Sequence, residues 1–77
     1  MTTFPCLSEI SIGTEVVVES ISGGKSLRQR LINLGVLPGA ELKVVRISKH
    51  GPLVVNVQGA QVIIGRAMAG KIYVKQK

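Results

Sequence analysis

Aromatic side chains are almost missing from this sequence: Phe4 and Tyr73 are the only two, and tryptophan is absent. A core must then be filled by Val, Ile and Leu, and β-branched residues at this density favour strands. The same scarcity removes the stacking platforms on which single-stranded nucleic acids are held. Cys6 is the only cysteine, which excludes an intramolecular disulfide; a small chain without that staple suits a reducing compartment, and a cytoplasmic setting is expected. No stretch approaches the roughly 18 apolar residues of a membrane span. The Met1-Thr2-Thr3-Phe4-Pro5 segment also lacks the basic and apolar runs of a signal peptide.

Acidic residues are nearly as scarce, and their placement is lopsided. Glu9, Glu15 and Glu19 give residues 1–24 a net charge of −3, residues 25–41 carry +2, and residues 42–77 carry +7 with no carboxylate side chain at all. With no carboxylate side chain in the sequence after Glu41, and with the one cysteine far in sequence from the one histidine, His50, no general acid/base pair is in sight and no enzyme is expected. A closed metal site asks for three or four Cys, His or carboxylate ligands, of which Cys6 and His50 supply two at most, so neither metal nor cofactor is expected. The basic balance raises nucleic acid or an acidic protein surface as a partner.

What is present in quantity is short apolar alternation punctuated by Gly and Pro. Thr14 to Ile21 reads as a strand with Val16 and Val18 on one face and Glu15, Val17 and Glu19 on the other. Leu7 to Ile10 suggests a single helical turn before it. After Ser22-Gly23-Gly24, the Ser26-x-x-Gln29 spacing predicts a capping box and a helix over Leu27 to Leu34, with Leu27, Leu31 and Leu34 on its inner face and Gly35 as its left-handed stop. Arg28 and Ile32 form a separate ridge. Gly35-Val36-Leu37-Pro38-Gly39 is a turn. Glu41 to Ser48 is a strand whose broken alternation suggests a bulge or sharp bend near Val44-Val45. Leu53 to Val57 and Gln61 to Ile64 form a hairpin, Arg66 to Ala69 one helical turn, and Lys71 to Lys75 a last strand.

At 77 residues the chain holds one core, and a single domain over 1–77 is expected. Five short strands with one short helix inserted after the first point to an all-β fold, a small closed barrel in which the first and last strands pair. That pairing would set Glu15 and Glu19 near Lys71 and Lys75. Any strand edge left unpaired would permit weak self-association.

The run Gly24-Lys25-Ser26-Leu27-Arg28-Gln29-Arg30-Leu31-Ile32-Asn33-Leu34-Gly35-Val36-Leu37-Pro38-Gly39 resembles the characteristic segment of the FeoA family, x-x-R-L-x-x-L-G followed by a hydrophobic pair and Pro-Gly. Leu7-Ser8-Glu9-Ile10 and Gly13 are similar to the family's opening. Leu42-Lys43-Val44-Val45-Arg46 is similar to its second strand, and Ala69 with Ile72-x-Val74 to its close. Two departures stand out: Ile12 where proline is common, and Lys49-His50-Gly51-Pro52 where a Gly-Asp-Pro loop is frequent. The resemblance implies an SH3-like β-barrel that serves bacterial ferrous iron uptake beside a membrane transporter with a cytoplasmic GTPase domain. It also implies kinship with the C-terminal domain of metal-dependent repressors of the diphtheria toxin repressor type.

Two further motifs are weighed against this. Ser22-Gly23-Gly24-Lys25-Ser26 looks like the end of a phosphate-binding loop, but the full spacing needs glycine at position 19, where Glu19 stands. Clustered Lys and Arg keep a basic nucleic-acid-binding barrel as the alternative function. The surface best suited to a protein partner is the helix flank and the turn after it, where Lys25, Arg28, Ile32 and Leu37 combine positive charge with apolar side chains. Ile32 either packs beneath the turn or is presented outward, and Leu37 either fills the turn or makes a contact.

Overall fold

The computed structural model describes residues 4–77. Its strands are β1 (Glu15–Ile21), β2 (Glu41–Ile47), β3 (Leu53–Val57), β4 (Ala60–Ile64) and β5 (Ile72–Gln76); α1 (Lys25–Asn33) lies between β1 and β2, and the four-residue α2 (Arg66–Ala69) between β4 and β5. A 3-10 turn over Leu7–Glu9 precedes them. All strand pairs are antiparallel in the order β4-β3-β2-β1-β5. Alternate residues of the strands turn inward at period two, so Val16, Val18, Leu42, Val44, Val55 and Val74 are all buried on one face.

The expected bulge in β2 is present, as a register shift between Val44 and Arg46. A second shift, between Val18 and Ser20, interrupts β1 against β5. Bulges bend the strand that carries them. Here the bends wrap the inner face around Leu31 of α1, Leu7 of the 3-10 turn and Ala69 of α2, each fully buried.

The expected closure does not occur: among the described residues β4 and β5 are not paired, and the sheet is open. The reason lies at the outer edge of β5, which is already occupied. The Val74 N–H donates to the Pro5 carbonyl at 2.9 Å and Cys6 bridges Tyr73, so residues 5 and 6 stand where β4 would have to be. First and last strands do pair, as expected. Glu19 meets Lys75 at 3.5 Å, but Glu15 stands opposite Lys43 of β2 rather than beside Lys71.

The helix also departs from expectation at both ends. It starts at Lys25 with Gly24 as its N-cap and no side-chain capping bond, so Ser26 lies inside the first turn and caps nothing. Asn33 ends it. Gly35, at φ +87°, reverses the chain; its N–H donates to the Ile32 carbonyl (2.9 Å) and the Val36 N–H to the Leu31 carbonyl (2.8 Å), the paired bonds of a Schellman stop. Val36 thereby takes the inward position and is fully buried, while Leu34, at the C-cap, is turned out and 41% exposed.

Candidate interaction surface on helix α1 and its turn

The residues singled out on α1 lie where the helical period puts them. Lys25, Arg28 and Ile32 are spaced three and four apart, share one ridge on the flank of the Leu31 face, and are all exposed. Ile32 is presented to solvent rather than tucked beneath the turn. Leu37 is likewise outside, because Val36 fills the space under the turn. Leu34 joins them. Sequence reasoning placed it inside on the strength of its spacing from Leu31; that spacing holds only while the helix continues, and the glycine stop one residue later redirects it.

This end of the molecule therefore shows three large apolar side chains, Ile32, Leu34 and Leu37, at the C-terminal end of a helix whose charged residues are all basic. No acidic residue stands in the first turn of α1, where the partial positive charge of the helix would favour one, and Lys25 occupies that turn instead. Lys25, Arg28 and Arg30 have no carboxylate within salt-bridge distance among the described residues. Three of the four acids are engaged elsewhere. Glu19 pairs with Lys75 and Glu41 with Lys77, while Glu9 accepts the Cys6 N–H at 2.9 Å. The cationic field of the helix is thus left uncompensated by the protein itself.

Beside the turn runs an open groove of about 500 Å³, bordered by Glu15, Gly39, Glu41, Lys43, Asn56 and Gln58. Its charges are mixed. The Glu41 carboxylate and the Lys77 ammonium meet at 2.6 Å, and this contact holds the Lys77 amine above its usual range. No sequence pattern announced the groove, since its walls come from three separate strands. Among the described residues no three of His, Cys, Asp and Glu come together as a metal site. His50 lies exposed in the β2–β3 turn and Cys6 half-buried beside Tyr73. No helix among the described residues is long and apolar enough to cross a membrane.

The FeoA domain profile matches residues 6–76. A Methanocaldococcus jannaschii protein provisionally named Fe(2+) transport protein A is 40% identical over 63 residues, covering 82% of this chain and 76% of that one. Among solved structures, the crystal structure of an iron uptake regulatory protein (FeoA) superposes with a TM-score of 0.92 at 33% identity, across 97% of this chain and all of that one. A manganese-dependent transcriptional repressor bound to manganese reaches the same TM-score at 21% identity. This chain covers 38% of it, so the likeness is one of fold, the SH3-like module within a longer chain. With a family profile spanning nearly its whole length and a close match in both sequence and structure, this chain belongs to the FeoA family.

Proposed function

We propose that this protein acts in ferrous iron transport as a non-enzymatic accessory module in the cytoplasm. On this reading it docks through α1 and the following turn on an acidic surface of the cytoplasmic, GTPase-containing part of the ferrous iron transporter and modulates its activity or assembly. Family membership and the names of its relatives support the iron-transport setting. The observation that carries the docking surface is the exposure of Ile32, Leu34 and Leu37 beside the unpaired Lys25 and Arg28. Intramolecular stability is served by neither feature: exposed leucines gain little, and a lysine at a helix start opposes the helix dipole. Both features serve an interface, where apolar anchors and arginine dominate affinity.

The test is binding of the purified chain to the transporter's soluble cytoplasmic domain, followed by calorimetry, with an Arg28→Glu, Ile32→Asp variant beside the natural chain. Both sites are exposed, so the variant should keep its circular dichroism. Loss of at least about tenfold in affinity, roughly 1.4 kcal/mol, is the expected result. Undiminished binding by the folded variant refutes the surface, and tight, steeply salt-sensitive binding to nucleic acid would favour the basic-barrel alternative.

A further inference from the structure

Strand β4 is the sheet's one uncovered edge among the described residues. The two-residue loop Gln58-Gly59, at φ +52° and +86°, makes Val57 and Ala60 a hydrogen-bonded pair. Alternation then directs the N–H and C=O of Val62 and Ile64 to β3, and those of Gln61 and Ile63 away from the sheet. Neither Gln61 nor Ile63 has another hydrogen-bond partner among the described residues. Exposed edges are usually blunted by lysine, proline, a bulge or a covering segment. Ala60–Ile64 has no charge and no proline, and it pairs with β3 in unbroken register. Its Ile63 side chain is 68% exposed, the most open large apolar residue described.

We propose that β4 is a self-association edge, on which a second copy of this chain adds its own β4, antiparallel, about a two-fold axis through Val62. In that register Gln61 faces Ile63 of the other copy, and these are the residues whose backbone groups point outward. The two pairs exchange four hydrogen bonds, and the sheets join into one of ten strands. Val62 meets its own counterpart as a non-hydrogen-bonded pair, and Arg66 falls opposite Gln58, so no charge confronts a like charge at the seam. An extended acidic segment of another protein would satisfy the same edge, but the seam's uncharged sequence and its two-fold match favour the second copy.

The contact is small. Two five-residue strands cover well under the about 1,200 Å² of a standard stable interface, so the dimer is weak and concentration-dependent. Each copy carries +6, and mutual repulsion opposes association until salt screens it. Added salt should therefore strengthen this dimer, the reverse of its effect on binding to an acidic surface.

Sedimentation velocity of the full chain tests the pairing, from about 10 μM to about 1 mM protein and at about 0.05 and 0.5 M NaCl. The weight-average coefficient should rise with protein concentration, and rise further in high salt. A Gln61→Lys, Ile63→Lys variant sets cations across the seam and should stay monomeric. A Gln61→Lys, Ile63→Glu variant sets opposite charges across it and should recover the dimer. In a mixed-label sample, an intermolecular contact between the Val62 Hα protons would report the register directly. A natural chain that remains monomeric throughout overturns the proposal and leaves the edge to a strand of another protein. Equal dimerisation by the natural chain and the doubly cationic variant overturns it too.

Discussion

β5 and β4 end the same sheet, yet the chain finishes them in opposite ways. Outside β5 lies a strap, residues 5–9, held by the Val74-to-Pro5 backbone bond, the Cys6–Tyr73 bridge and a fully buried Leu7. Outside β4 there is nothing among the described residues, and the outward side chains of that strand are an uncharged Gln61 and an exposed Ile63. The strap contributes to the core and closes one edge at the same time. The bare edge contributes only its inner residues, Val62 and Ile64. Edge treatment therefore decides which half of the molecule is needed for folding and which is left for contacts.

The largest expected effect breaks the strapped side. Leu7→Ala should cost about 3 to 5 kcal/mol, because a fully buried leucine is lost and its cavity is left between the 3-10 turn and the sheet. A domain of this size usually draws only about 3 to 5 kcal/mol from its core, so the variant should be largely unfolded at room temperature. Ile63→Ala on the bare edge should change the unfolding free energy from urea titration by no more than about 0.5 kcal/mol. Comparable losses at the two positions would abolish the distinction between the edges.

A proline pair sharpens the comparison within β4 itself. Val62 is paired with Val55 and its N–H belongs to the ladder, whereas the Ile63 N–H points outward. Proline removes the donor in either case, but only at Val62 was the donor in use. Val62→Pro should therefore be about 2 kcal/mol more destabilising than Ile63→Pro in equilibrium unfolding.

The strands were legible in the sequence because each carries its own period-two signal, from Val16 and Val18 to Ile72 and Val74. The β2 bulge was legible too, since Val44-Val45 breaks that period. Closure was not, because the strap that forestalls it is a single backbone bond and a bridge from residues 5 and 6, which leave no pattern. Ser26 misled because its spacing to Gln29 fits a cap, while the chain enters the helix two residues earlier at Gly24. Of the candidate surface, Lys25, Arg28 and Ile32 followed from helical geometry. Leu34 was missed, because its orientation is set by Gly35 and by Val36 taking the inner place, an outcome of competition for one cavity rather than of periodicity.

The smallest effect expected concerns the pH at which the strap loosens. Glu9 accepts the Cys6 backbone N–H and, more weakly, its thiol, and these bonds hold its carboxyl below the usual glutamate value of 4.5. A lowered folded value means the contact contributes above 4.5 and is lost as pH falls through the lower folded value. The group is solvent-exposed, so global stability should scarcely register the change. The local signature is specific: the Cys6 amide shift should titrate with a midpoint below 4.5, and Glu9→Gln should remove the titration. Over the same interval the protection factor of the Val74 amide, bonded to Pro5, should fall, while that of Val62 at the other end of the sheet stays constant. A midpoint at or above 4.5, or parallel loss of protection at both amides, would show that Glu9 does not hold the strap. The closed edge would then rest on Leu7 and the backbone bond alone.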